Sequence, residues 1–293
     1  MDIAVIGAGP GGLTAAIYAA RYGRSVMVFE GAFAGGQMVK TVNIENYPGF
    51  ENGTDGYTLA DKMKKQAAKN GVVFKNETVK KIDFENKTVY TESGTEKFKA
   101  VILAMGAKPR KLNVPGETEF LGKGVSYCAT CDGMFFKGKT AVVAGGGDTA
   151  LEDALFLKNI CKKVYIIHRR DKFRAIKSLC DKAEQSENIE IVYSANIKEI
   201  CGDSSVKYIK TENRTIETDA VFIAVGNEPQ SDICPDIIKN KNGCVITDEN
   251  MQTKIKGIFC CGDLREKALR QIVTACADGA AAAYGAAKLL DGE

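Results

Sequence analysis

MDIAVIGAGPGGLTAAIYAARYGRSVMVFEG, residues 1–31, decides the fold. An apolar run at residues 3–6 meets Gly7-x-Gly9-x-x-Gly12. Leu13, Ile17 and Ala20 then recur at helical spacing, and a second apolar run, from Ser25 to Phe29, ends at Glu30. The order is strand, glycine turn, helix, strand. The glycines permit a tight turn, close approach of the backbone to a pyrophosphate and close helix packing, while the helix N-terminus offers free N–H groups to phosphate. Glu30, 23 residues after Gly7, is placed to accept from a ribose hydroxyl. Strand, helix and acid in this order make a dinucleotide site the expectation.

The plan recurs in TAVVAGGGDTALEDALFLKNICKKVYIIHRR, residues 140–170. A strand ends at Ala144, Gly145-x-Gly147-x-x-Ala150 follows, and after a helix a second strand, residues 164–167, ends at His168. Position 168 lies 23 residues after Gly145, the interval that separates Glu30 from Gly7. A base has replaced an acid. His168, Arg169 and Arg170, with Arg174 one helical turn further on, supply planar cationic donors that suit a 2′-phosphate, which a carboxylate would repel.

AVILAMGAKP from Ala100 and AVFIAVGNEP from Ala220 match in register, and each reads as a buried strand leaving its sheet at a glycine turn. Short alternating strands precede each, over residues 79–98 and 197–217. The fold class expected is α/β, with two Rossmann-like domains of parallel sheet and crossover helices, each carrying a small antiparallel layer. The tail offers a strand ending at Gly262-Asp263 and a long alanine-rich helix whose small residues allow close approach. It is assigned to the first domain, whose nucleotide site it completes. The expected division is 1–113 with 244–293 for the first domain and 114–243 for the second, inserted into it, with crossings near residues 113–116 and 239–243.

With 40 Lys and Arg against 37 Asp and Glu, the net charge of +3 gives no general reason to expect a nucleic-acid or anionic-membrane partner. The apolar strand pattern begins at the second residue, leaving no room for a signal peptide, and no run of about 18 apolar residues could span a bilayer. A cytosolic protein is expected. In that reducing compartment most of the ten cysteines act as small buried hydrophobes. The CxxC of SYCATCDGMFF, residues 126–136, is different: Cys128 and Cys131 form a metal clip, a structural disulfide or a redox switch.

GAGPGG, GGQ (35–37), ENYPGF (45–50), CATCDG, GGGDTA, HRRDKFR and GDLREKALRQIVTA, in this order, closely resemble low-molecular-weight bacterial thioredoxin reductase over essentially the whole chain. The resemblance implies an FAD domain built from both ends of the chain, an NADPH domain between them, and a homodimer that reduces thioredoxin. It puts Gly9, Pro10, Glu30, Gly36, Gln37, Asn46, Asp263, Arg270, Gln271 and Ile272 at FAD, with the Val79 backbone near adenine, and Asp148 and Thr149 with the second glycine motif at NADPH. It implies that Cys131 faces the flavin, that Cys128 attacks the partner, and that Asp132 is the general acid that protonates the thiolate leaving as the disulfide opens.

With one CxxC and one distant histidine, the four ligands zinc wants are missing, and a bridge across four residues constrains little chain. A reversible disulfide fits best. Nicotinamide and disulfide would both lie on the inserted domain and both must reach the flavin, so the insertion is expected to swing about its two linkers. Met105 stands where the family usually has threonine, and Cys260, Cys261 and Cys276 where small residues are usual. All four are expected to be packing substitutions. Two neighbouring readings are a flavin reductase fed by reduced ferredoxin, which would lack the second glycine motif and the HRR cluster, and a reductase whose dithiol serves a peroxidase or a small disulfide. A non-enzymatic FAD sensor has no need of an NADPH site.

Overall fold

The computed structural model describes residues 1–31, 34–41 and 43–292. The chain forms two compact units, residues 1–108 with 228–293, and residues 109–227 inserted between them.

In the first unit, Ile3–Ile6 pairs in parallel with Val26–Glu30 on one side and Ala100–Leu103 on the other. Val73–Asn76 and Ile258–Cys260 close the two edges. The three inner strands are almost entirely buried because the parallel sheet is covered on both faces: the helices Pro10–Arg21, Gly56–Lys69 and Ile272–Asp291 pack on one, and Ile82 and Val89 of the antiparallel layer, with Phe98, Ile238 and Val245, on the other. Each large aliphatic side chain buried there, such as Ile3 or Ile102, contributes roughly 1.5–3 kcal/mol. The helix Pro10–Arg21 starts with proline, whose fixed φ suits a first turn. In the helix Gly56–Lys69, the Asp55 carboxylate caps the first turn by accepting from Thr58 N–H at 2.8 Å. Ile272–Asp291 packs on Pro10–Arg21, and Lys81–Asp83, Thr88–Tyr90 and Thr95–Lys97 form the antiparallel layer.

The second unit repeats the order. Thr140–Ala144 is central, with Lys163–Ile167 and then Ile189–Val192 on one side, Ala220–Ile223 and then Val125–Ser126 on the other, all parallel. Ile197–Gly202, Val206–Thr211 and Thr215–Glu217 form its antiparallel layer. The duplication expected from sequence is thus present strand for strand. Only the last edge strand differs in origin: Ile258–Cys260 comes from the end of the chain, Val125–Ser126 from just before the central strand.

The units divide earlier than the sequence reading places them. Residues 228–243 pack with the first unit, where Cys234 and Ile238 are buried beside Ile6, Leu103 and Val245. The crossing segments are pinned within each unit: Gln230 N–H donates to the Gly106 carbonyl at 2.9 Å, and Arg110 N–H to the Gly226 carbonyl at 2.9 Å. Among the described residues no helix is long and apolar enough to cross a membrane.

Candidate functional site

Three of the features singled out from sequence in the first unit lie at the C-terminal ends of its parallel strands. Gly7–Gly9 follows Ile3–Ile6, Glu30 ends its strand, and Asp263 follows Ile258–Cys260. The three glycines divide the work as the motif requires. A Cβ at Gly7 would lie 2.5 Å from the Ala104 carbonyl oxygen and one at Gly12 would lie 1.9 Å from that of Gly7, whereas one at Gly9 would meet nothing within 4 Å. The first and third permit packing; the second leaves the approach open. No side chain caps the helix at Gly9, so its first N–H groups face that opening.

Around it stand polar groups held in place but incompletely satisfied. Glu30 is only 6% exposed; one carboxylate oxygen accepts from Lys64, and the other, Oε2, is buried without a partner. Asp263 Oδ1 and Arg270 Nε are likewise buried without partners. Burial pushes the Asp263 carboxyl above the ordinary carboxylate range, and Lys267 and Arg270 pull it back. Asn46 Nδ2 donates to Gln271 Oε1 at 3.1 Å, joining residues far apart in sequence beside Ile272, the first residue of the last helix. Gly36 is seated against Gly9, its Cβ position 3.3 Å from the Gly9 Cα, with Gln37 next in the same short turn. Beyond Glu30, Gly31, Asn76, Glu77, Thr78 and Glu92 line a cavity of about 280 Å³, next to Val79. Unpartnered donors and acceptors around an open glycine turn fit a dinucleotide such as FAD.

In the second unit a Cβ at Gly145 would lie 2.4 Å from the Ala224 carbonyl oxygen, while one at Gly147 would meet nothing within 4 Å. Asp148 and Thr149 open the helix Asp148–Leu157, and Asp148 Oδ1 accepts from Ile176 N–H at 2.8 Å, tying the loop after the second strand to the glycine turn. Arg169, Arg170 and Arg174 are exposed on that loop.

His168 departs from its expected role. It is 4% exposed, its ring lies against Gly146, and its Nε2 is 3.0 Å from the Lys172 carbonyl. A carbonyl only accepts, so Nε2 carries the proton. Burial lowers the imidazole's proton affinity, the hydrogen bond to the Lys172 carbonyl opposes this, and the three arginines lower it further. His168 is therefore a buried clamp under the loop, and the exposed charge belongs to the arginines.

At the C-terminal end of the same sheet, the edge strand Val125–Ser126 leads into a disulfide between Cys128 and Cys131, with Cα atoms 5.3 Å apart. Ala129–Asp132 is a single helical turn packed on Asp148–Leu157; a Cβ at Gly133 would lie 3.0 Å from Leu157 Cδ2. Burial raises the Asp132 carboxyl above the ordinary carboxylate range, and a hydrogen bond from Ser126 Oγ to Oδ2, 2.6 Å, opposes the shift. Tyr127 Oη donates to buried Glu117 at 2.6 Å, and Glu117 also accepts from the N–H groups of Leu112 and Asn113, which fixes the chain leading to Cys128.

A disulfide lies in the same unit as one dinucleotide turn, in a chain carrying a second, and residues 1–279 match pyridine nucleotide-disulphide oxidoreductase. The chain belongs to that family. The oxidoreductase is 44% identical over 292 residues to a thioredoxin reductase of Bacillus subtilis (strain 168), covering 96% of this chain and 92% of the relative. A thioredoxin reductase structure from Streptococcus pyogenes MGAS5005 matches with a TM-score of 0.92 and 43% identity, over 100% of this chain and 98% of that one. One from Giardia duodenalis matches with a TM-score of 0.93 and 36% identity, over 99% and 98%. The resemblance to thioredoxin reductases is borne out.

The oxidoreductase's other cysteines are free thiols. Cys260 and Cys261 are completely buried and burial drives both thiols well up, so they pack rather than react. Sequence reasoning passes over Ser126, Glu117 and Lys64. Ser126 and Glu117 lie near Cys128 in sequence, but only the fold shows which oxygen each contacts. Lys64 carries no motif signal at all.

Proposed function

We propose that this oxidoreductase is an NADPH-dependent, FAD-containing thioredoxin reductase, a cytosolic homodimer that reduces oxidised thioredoxin through Cys128–Cys131. The observation that carries this reading is the disulfide with Asp132 at the C-terminal end of the same parallel sheet as a glycine turn flanked by three exposed arginines. The thioredoxin reductases it is similar to support a protein disulfide as substrate. Arg169, Arg170 and Arg174 take the 2′-phosphate, and the N–H groups beyond Gly145 and Gly147, at Asp148 and Thr149, take the pyrophosphate. Glu30, Gly36, Gln37, Asn46, Asp263, Arg270, Gln271 and the backbones of Gly9, Val79 and Ile272 would hold FAD, which when bound carries two electrons from nicotinamide to the disulfide.

The chain's own residues perform the exchange. The Cys128 thiolate attacks a sulfur of the partner's disulfide, forming a mixed disulfide and releasing one partner thiolate. Cys131 then gives up its proton, attacks Cys128 Sγ and releases the second. Two electrons and two protons leave the enzyme dithiol and arrive on the partner. Asp132, whose proton affinity burial raises, takes and returns those protons.

Two measurements test the reading. In an anaerobic titration, NADPH should bleach the flavin and then yield thioredoxin thiols, while NADH and reduced ferredoxin do neither; bleaching by ferredoxin alone overturns the donor, and thiols appearing only on a peroxidase or small disulfide overturn the partner. Cys131→Ser should trap a covalent adduct with an activated thioredoxin disulfide and Cys128→Ser should not. Mass spectrometry showing the opposite pattern reverses the two roles.

A further inference from the structure

The Ser126 hydroxyl stands at a junction of three contacts. Its oxygen lies 2.6 Å from Asp132 Oδ2 and 3.3 Å from the Cys128 carbonyl, and it accepts from Cys128 N–H at 3.0 Å. The residue is 4% exposed. Both acceptors compete for one hydroxyl proton, since a serine has one O–H and two lone pairs. When Asp132 is ionised, the proton belongs on the short contact to the carboxylate. When Asp132 is protonated, its own O–H can donate to Ser126 Oγ, and the serine proton turns to the Cys128 carbonyl. Every polar group keeps a partner in both states, which matters because a buried polar group left unpaired is costly.

We propose that Ser126 is a positioning residue for thiol–disulfide exchange: its hydroxyl reverses direction with the protonation of Asp132, so the carboxyl can give and take a proton without losing its hydrogen bond or its place beside Cys131. The inference rests on the proposed role of Asp132 as proton donor and acceptor. Over one exchange cycle Asp132 gains a proton from an enzyme thiol and passes it to a departing thiolate. Ser126 ends with the proton it began with, having only turned it.

The charged form is the one Ser126 favours while donating, so removing the hydroxyl disfavours the carboxylate and makes Asp132 hold its proton to higher pH. The titratable groups on the surrounding elements are Tyr127, paired with Glu117, on the preceding segment; Asp148, Glu152 and Asp153 on the helix Asp148–Leu157; Lys137 beyond the following turn; and the two thiols themselves once reduced. None contributes to the shift at Asp132, where burial and Ser126 are the causes. Measuring the oxidised protein removes the thiols from the titration.

The test is the rate at which dithiothreitol opens Cys128–Cys131 in the full-length protein as purified, followed by quenched mass spectrometry across pH and divided by the reagent's thiolate concentration. With Asp132 protonating the leaving sulfur, this normalised rate falls as pH rises through the Asp132 titration. In Ser126→Ala the fall should move to higher pH, the proton affinity of Asp132 rising by about tenfold or more. Ser126→Thr, which keeps the hydroxyl, should return it to the parent position. Should the alanine protein not fold, Ser126→Gly carries the same expectation. An unmoved or downward-shifted fall without the hydroxyl overturns the inference, as does a threonine protein shifted like the alanine one. Asp132→Asn separates the two readings. It should abolish the fall; if the fall persists, the role of Asp132 is lost and the inference with it, whereas a flat asparagine profile beside an unmoved Ser126→Ala profile removes the inference alone.

Discussion

Gly279 of the last helix meets Gly11 of the first backbone to backbone: a Cβ at Gly279 would stand 2.2 Å from the Gly11 carbonyl oxygen and 3.0 Å from the Ala15 nitrogen. This contact welds the C-terminal helix to the dinucleotide turn. The small residues of that helix, legible in the sequence as an alanine-rich run, are the condition for it.

Gly279→Ala should therefore strain the packing of two helices and destabilise the first unit by about 1–3 kcal/mol. Gly9→Ala, which adds a methyl where nothing lies within 4 Å and where φ is −75°, should leave urea unfolding of the flavin-free protein nearly unchanged but strip flavin from the purified protein. Absorbance and unfolding measured on both variants decide the matter. A Gly9→Ala protein that retains its flavin contradicts the assignment of that turn to pyrophosphate.

Replacing Arg169 and Arg170 together by uncharged residues should cut the preference for NADPH over NADH by about a hundredfold, since each charge-assisted hydrogen bond is worth roughly 1.5–3 kcal/mol. His168→Gln should act differently. The imidazole braces the loop from beneath, so its loss should weaken both nucleotides by similar factors and leave their ratio near that of the parent. Steady-state kcat/KM for the two nucleotides tests both statements, and a collapse of the ratio in His168→Gln would restore the histidine as a direct reader of the phosphate.

Asp153, on the helix Asp148–Leu157, has its pKa pushed up to about 7 by burial and by the neighbouring charge of Glu152. The folded state thus binds a proton that the unfolded chain has already released at an ordinary carboxylate value. Stability attributable to this group is full below about pH 4, falls as pH rises, and levels off above about pH 7. Asp153→Asn should remove that fall and leave the protein more stable than the parent at pH 8 by about 1–3 kcal/mol, with little difference near pH 4. Thermal melts at the two pH values measure it; equal gains at both would assign the effect to packing.

The strand-turn-helix units were legible because their determinants are local: an apolar run, glycines at fixed spacing and a helical repeat. Even the duplication showed, since matching segments such as AVILAMGAKP and AVFIAVGNEP survive in register. Residues 228–243 misled because they lack periodicity, and Cys234 and Ile238 acquire meaning only from the core they enter. His168 misled for a related reason. Counting from Gly145 fixes where the residue falls but not that residues 170–174 fold back over it, offering the Lys172 carbonyl to its ring. Ser126 and Lys64 act through side-chain contacts of 2.6 Å and similar reach, set by the tertiary fold alone.

The different origin of the last edge strand sets an order for biosynthesis. Once residue 223 has emerged, every strand of the second unit's parallel sheet exists. The first sheet waits longer. Ala100–Leu103, four fully buried apolar residues, keeps one edge unpaired until Ile258–Cys260 is made, and the glycine turn lacks its covering helix until residues 272–291 follow. An open apolar strand edge invites pairing with other chains. On the ribosome, the half of the molecule that begins first is therefore finished after the insertion, and termination before Ile258–Cys260 would release an intact insertion on an incomplete frame.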